Sequence, residues 1–226
     1  MAERYSVVIP AFDAADTIGD ALRSIARQSV LPARVIVVDD GSNDDTGERA
    51  RAFGEGLDIV VIRQANAGCG AATNTGVATV TTPVLAYLDA DDVWLPHKAE
   101  AQLAILAARP ELAGICGQCL TFRGPAEAPR VGRVMDIWGR TSLMIRTEAA
   151  RLIGPVVDGG RGDMVDWLAR GRELGLRIEM APETVGMRRI RSDSLSYGRD
   201  VERDRGYLLA VKRALDRRRQ ERGGLE

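Results

Sequence analysis

The chain has 226 residues, 45% of them hydrophobic and 28% charged, with a formal net charge of −1. That composition belongs to a globular domain, and the near-zero charge excludes the basic footprint of a nucleic-acid-binding protein. Aromatic residues make up only 4%, too few for a carbohydrate-binding module built on stacking platforms.

The first half alternates strand and helix patterns. Residues 5–10 form a short β-branched run closed by Pro10, and residues 15–28 carry Ile18, Ala21, Leu22, Ile25 and Ala26 at helical spacing. Asp16 or Thr17 is placed to cap that helix. Residues 34–38 are a continuous apolar strand running into Asp39-Asp40-Gly41-Ser42, followed by a helix over 44–53. Strand 57–62, helix 68–79, strand 84–88 and helix 96–108 complete the alternation. Continuous apolar strands separated by helices predict an α/β fold with a parallel sheet covered on both faces. Ligands bind such sheets beyond the carboxyl ends of the strands.

The second half is less regular. Strands are expected at 112–122 and 131–137 around a loop at 123–130. A short helix is expected at 147–153, an amphipathic segment at 160–175, and a short strand at 177–180. A basic loop over 188–197 and a terminal helix over 201–220 follow. No internal repeat or low-complexity linker interrupts the chain. The expectation is a single domain over residues 1–226, made of the regular alternating stretch 1–98, the less regular stretch 99–200 and a C-terminal helix (201–226).

Cys69, Cys116 and Cys119 are an odd, low count that fits a reducing compartment. Cys116-Gly-Gln-Cys119 has CxxC spacing, but with one histidine in the chain it reads as two small core residues on a strand rather than a zinc site. No run reaches the length of a membrane span, and the N-terminus has no leader pattern. The expectation is a soluble, cytoplasmic protein.

Three strand ends carry residues capable of chemistry. Asp89-Ala90-Asp91-Asp92 directly follows a buried strand, and carboxylates at i and i+2 in a tight turn suit hard divalent cations such as Mg²⁺ or Mn²⁺. At Asp39-Asp40-Gly41-Ser42 one carboxylate can accept a hydrogen bond from an imide or a ribose hydroxyl, although Asp, Gly and Ser are also ordinary turn residues. Asn66-Ala67-Gly68-Cys69-Gly70 is a glycine-bearing loop that lets backbone approach a phosphate. It is neither the GxGxxG fingerprint nor a Walker motif.

In order, Val7-Val8-Ile9-Pro10-Ala11-Phe12-Asp13, Ser24–Gln28, Val35–Ser42, Asn66-Ala67-Gly68 with Asn74-Thr75-Gly76, and Tyr87–Asp92 with Trp94, Pro96 and Lys98 resemble the family 2 glycosyltransferases of GT-A fold. The resemblance covers about the first 100 residues. It implies a Rossmann-like, mostly parallel central sheet with a smaller mixed acceptor-side extension. It also implies a nucleotide-sugar donor, most commonly a UDP-sugar, and inversion at the anomeric carbon. Pro10, Ala11 and Phe12 would line the base pocket, with Asp13 where an Asn is frequent. Asp39 would contact the uracil imide. Asp89, beside Ala90, would face ribose and metal, and Asp91 would ligate a Mn²⁺ or Mg²⁺ on the diphosphate. Gly162-Asp163-Met164-Val165-Asp166-Trp167-Leu168 resembles the family's acidic motif, with Asp163 as general base and Gly162 in place of the usual Glu. Arg191 stands where many members have a histidine; an arginine cannot ligate a metal but can clamp a phosphate.

The acceptor stays open: a small molecule, a peptide, a glycan end or a lipid-linked sugar. The terminal run Lys212-Arg213 and Arg217-Arg218-Arg219 is either a solvated helix face or a peripheral membrane contact, and a homodimer is open as well. Two competing readings are a catalytically weak or inactive nucleotide-sugar-binding protein and a sugar nucleotidyltransferase. Against the latter, Pro10-Ala11-Phe12-Asp13 replaces the Gly-, Arg- and Lys-bearing loop such enzymes carry after the first strand.

Overall fold

The computed structural model describes residues 4–54, 56–157 and 162–190, together with residues 212, 213, 216 and 217. The elements run β1 (Tyr5–Ala11), α1 (Ile18–Ala26), β2 (Arg34–Asp39), α2 (Thr46–Arg51), β3 (Ile59–Arg63), α3 (Cys69–Ala78), β4 (Val84–Tyr87), β5 (Val93–Trp94) and α4 (Lys98–Ala108). They continue as β6 (Leu112–Arg123), β7 (Arg130–Ile137), β8 (Met144–Arg146), α5 (Thr147–Ile153), α6 (Asp163–Glu173) and β9 (Arg177–Arg189).

One sheet holds every described strand, in the order β3-β2-β1-β4-β8-β6-β9-β5, with β7 hydrogen-bonded to β6. The β3-β2-β1-β4 side is parallel throughout. The remainder is mixed: β8 runs antiparallel to β4 and β6, and β9 parallel to β6.

The unbroken apolar strands follow from burial on both faces. Val7, Ile9, Val35 and Val37 belong to one core with Ile18, Leu22 and Ile25 of α1 and Leu103 and Leu106 of α4. Val8, Ile36 and Val38, one residue out of phase, belong to a second core with Ala72 of α3, Ile153 of α5 and Met164, Trp167 and Leu168 of α6. Side chains on a strand alternate between faces, so a strand between two cores has no polar face. The CxxC pair lies on β6, where both thiols are free and buried. Burial pushes them up to about 11 for Cys116 and about 12 for Cys119.

Three elements differ from expectation. The strand expected at 177–180 runs on to Arg189, so Arg188 and Arg189 are strand rather than loop. Pro182 and Gly186 break the apolar alternation, but the segment pairs with β6 across register shifts, and Gly186 sits where a Cβ would stand 3.1 Å from the Val93 carbonyl. The short strands β5 and β8 gave no periodic signal because two or three residues are too few to show one.

Candidate active site

Strand order decides which loops meet. β1 is flanked by β2 and β4, so the loops after β1, β2 and β4 emerge side by side at the carboxyl edge of the sheet. The Asp40 N–H donates to Ala11 O at 2.8 Å, and the Asp13 N–H to Ser42 Oγ at 3.0 Å. Asp13 takes a positive φ of 45°, a backbone region that Asp and Asn tolerate better than most residues. Its carboxylate accepts the Asn43 N–H at 2.7 Å. Pro10 and Ala11 are buried in β1, whereas Phe12 is 47% exposed at the strand end.

Asp39 and Asp40 point to different tasks. The buried Asp39 carboxylate accepts Ser42 N–H at 2.9 Å and Arg63 Nη1 at 2.8 Å. Arg63 stands directly opposite Asp39 in the β2–β3 register. Asp40 accepts Gln64 Nε2 at 2.7 Å, Ala67 N–H at 3.0 Å and Gly68 N–H at 2.8 Å, which fixes the loop bearing Asn66 and Gly68. Asn66 itself is exposed. Gly41, at φ 78°, brings the neighbouring turn so close that a Cβ would lie 2.9 Å from the Asn66 backbone nitrogen.

The 89–92 loop divides by burial. Asp89 and Asp91 are partly exposed, whereas Ala90 and Asp92 are buried. Thr141 Oγ1 donates to Asp92 Oδ2 and lies 3.4 Å from Asp89 Oδ2. Burial raises the Asp92 carboxyl well above its usual range, and the charges of Asp91 and Asp89 add to the effect. Arg189 closes the loop from behind. Its N–H donates to Asp92 at 2.8 Å, its Nε to Asp91 O at 2.8 Å and its Nη2 to Asp20 at 2.7 Å.

Among the described residues, no three His, Cys, Asp or Glu side chains converge as a metal cage. Mg²⁺ needs only one or two carboxylates when substrate phosphates and waters complete its shell. The two partly exposed carboxylates, Asp89 and Asp91, fit that mode.

Asp163 opens α6 behind Gly162, which takes a positive φ of 102°. Its Oδ1 accepts the Met164 N–H at 2.6 Å, and its Oδ2 accepts Arg140 Nη2. Burial raises its pKa, with Arg140 opposing the shift. Arg140 Nη1 in turn lies 3.8 Å from Asp89 Oδ1, so one guanidinium joins the two candidate carboxylates. Sequence reasoning missed Arg140, and the segment Gly139-Arg140-Thr141 carries no pattern that could have revealed it. Arg63 was missed as well, because the register that sets it opposite Asp39 is fixed only by the pairing of β2 with β3.

Asp166 lies one turn on, buried against Arg217 at 3.0 Å and Arg170 at 3.5 Å. Arg217, from the terminal basic run, thus binds α6, with Glu173 at 2.7 Å as a further partner. His97 is exposed at the N-cap of α4. Trp167 is core, its indole N–H donating to Gly154 O at 2.8 Å. Trp138 lies 4.8 Å beneath the Arg172 guanidinium. Arg191 lies outside the described residues.

The sequence profile of the family described as Glycosyl transferase family 2 matches residues 6–157. The chain belongs to glycosyltransferase family 2. It is 38% identical over 99 residues to an uncharacterized glycosyltransferase of Nostoc sp., across 43% of this chain and 31% of the relative. It is 27% identical over 101 residues to the UDP-Glc:alpha-D-GlcNAc-diphosphoundecaprenol beta-1,3-glucosyltransferase WfgD of Escherichia coli, across 45% of this chain and 40% of that protein. The family 2 chain therefore matches less than half the length of either relative.

Solved structures share the architecture. S. aureus TarS in complex with UDP superposes with a TM-score of 0.70 at 15% identity, covering 84% of this chain and 61% of that one. The mannosyltransferase PcManGT of Pyrobaculum calidifontis, in complex with GDP-Man and Mn²⁺, gives 0.69 at 18% identity, covering 95% and 70%. The fold of this family 2 chain is GT-A, and no helix among its described residues is long and apolar enough to cross a membrane.

Proposed function

We propose that the chain is an inverting glycosyltransferase that moves a sugar from a nucleotide diphosphate donor, a UDP-sugar in the first instance, to an acceptor hydroxyl. The observation that carries this reading is the meeting of the β1, β2 and β4 loops at one sheet edge, with Asp89 and Asp91 partly exposed past β4 and Phe12 exposed past β1. The UDP and GDP-Man complexes of the structural neighbours support a nucleotide-sugar donor. The acceptor is a small molecule, a peptide, a glycan or a lipid-linked sugar, the last being the kind named in the E. coli relative.

In this reading Pro10, Ala11 and Phe12 form the base side of the donor site, Asp39 contacts the uracil imide and Asp13 lies near the nucleotide. Asn66 and Gly68 border the phosphates, with Arg191 as a further phosphate clamp. Asp89 and Asp91 hold a Mn²⁺ or Mg²⁺, which when bound neutralises charge on the leaving diphosphate. Asp163 accepts the proton of the acceptor hydroxyl, a contribution of roughly 10²–10⁴ in rate. Residues 1–98 serve the donor, residues 99–200 the acceptor.

The test is a panel of nucleotide sugars with and without Mn²⁺, read by thermal stability and by release of nucleoside diphosphate. A cognate donor should raise the melting temperature, because it binds the folded form, and should be slowly hydrolysed. If no nucleotide sugar stabilises the protein or is cleaved, the proposal fails.

A further inference from the structure

The Arg140 guanidinium is held from two helices and left open on one edge. Its Nε donates to Thr73 Oγ1 of α3 at 3.2 Å, and its Nη2 to Asp163 at the start of α6. Its Nη1 donates no hydrogen bond among the described residues and faces Asp89 Oδ1 at 3.8 Å. The residue is only 8% exposed, so it is not a surface arginine bathed in water. A guanidinium has five N–H donors, and a charge withdrawn from water needs anionic or hydrogen-bonding partners. The edge that carries Nη1 is directed at the carboxylate just past β4, among the strand-end loops.

We propose that Arg140 is a donor-binding residue: Nη1 contacts an oxygen of the nucleotide sugar's diphosphate while Nη2 keeps Asp163 in place. This rests on reading the chain as a nucleotide-sugar transferase. Electrostatics favours it, because Asp89, Asp91 and Asp163 together present negative charge to an anionic donor and Arg140 is the buried cation between two of them. Chemistry favours it as well, since the planar guanidinium fork matches phosphate oxygens and stays charged at any working pH. Thr73 and Asp163 fix the plane before a ligand arrives, so little side-chain freedom is lost on binding.

The rival role is that Arg140 serves Asp163 alone, and nucleotide binding separates the two. Calorimetry with Mn²⁺ compares UDP with uridine, and GDP with guanosine, on the wild type, Arg140→Lys and Arg140→Gln. A fourth protein carries Arg140→Gln together with Asp163→Asn, which removes the carboxylate that would otherwise be left buried without its cation. The expected result is an affinity for the nucleoside diphosphate reduced about tenfold or more by Arg140→Gln in both backgrounds, the scale of a charged hydrogen bond. The lysine variant should fall in between, and nucleoside affinity should be unchanged. Variants that bind the diphosphate as the wild type does, and lose only turnover, overturn the proposal. A wild type that binds neither UDP nor GDP overturns the donor reading itself.

Discussion

The Asp92 carboxylate accepts the backbone N–H of Arg189 at 2.8 Å, tying the loop after β4 to the end of β9 across 97 positions of sequence. With Thr141 on its other oxygen, Asp92 is a bracket for the loop that presents Asp89 and Asp91. Asp92→Ala leaves that N–H buried without its partner, while the hydroxyl keeps its 3.4 Å contact with Asp89 Oδ2. An unpaired buried donor costs about 1–3 kcal/mol, and a loss of that size is expected in chemical denaturation. Asp92→Asn keeps an oxygen for Arg189, and the Thr141 hydroxyl can turn to accept from the amide. That variant should lose about 1 kcal/mol or less.

Donor binding and transfer should separate between Asp91 and Asp163. Asp91→Ala is expected to weaken UDP binding and to abolish its response to Mn²⁺ in calorimetry. Asp163→Asn should leave UDP affinity within about twofold and lower turnover by about 10²-fold or more, the scale of a general base. Full turnover in Asp163→Asn would remove Asp163 from the reaction.

Gly76 belongs to the Asn74-Thr75-Gly76 run and owes its place to packing. A Cβ there would lie 2.5 Å from Val8 Cγ1 and 3.3 Å from Val38 Cγ2, where α3 crosses β1 and β2. The helix-propensity gain of alanine is about 1 kcal/mol, smaller than overpacking costs of about 1–3 kcal/mol. Gly76→Ala should therefore lower the melting temperature. Gly19→Ala in α1, where a Cβ meets nothing within 4 Å, should raise it slightly and serves as the control.

Lys98 is a buried amine packed over Trp94, donating to Gln102 Oε1 and to Ser142 O at 3.2 Å. Burial lowers its pKa to about 7, against a weak opposing effect of the nearby Cys119 and Cys116 thiols. The folded form therefore holds fewer protons than the unfolded chain between about pH 7 and the usual lysine value of about 10.4. Stability from this group rises with pH across that window, by about 1.4 kcal/mol per unit at most. Below pH 7 both states are charged and the cost of burying the ammonium is constant. Lys98→Met should gain on the wild type as pH falls from about 10 to about 7, measured by urea denaturation at several pH values. A pH-independent difference would place the ammonium in a better-solvated site.

Much of the parallel half was legible from local pattern. Uninterrupted runs such as Val35–Val38 have no polar face because Val35 and Val37 enter one core and Ile36 and Val38 the other. The strand-end acids were visible for the same reason, as the first polar residues past each buried run. In the mixed half β6 and β7 were legible, but β5 and β8 are only two and three residues long and Pro182 and Gly186 interrupt the apolar pattern of β9.

By itself, the sequence determined that strands with no polar face alternate with helices and end in acidic or glycine-bearing turns, because burial on both faces is written residue by residue. Only the tertiary structure decided which carboxylates keep access to solvent and which are walled in. Asp89 and Asp92 stand three residues apart, yet Asp92 alone is closed off by Thr141 and Arg189. Only the tertiary structure, likewise, placed Arg140 between Asp89 and Asp163. Such charge pairing depends on distances between residues remote in the chain, which no local pattern encodes.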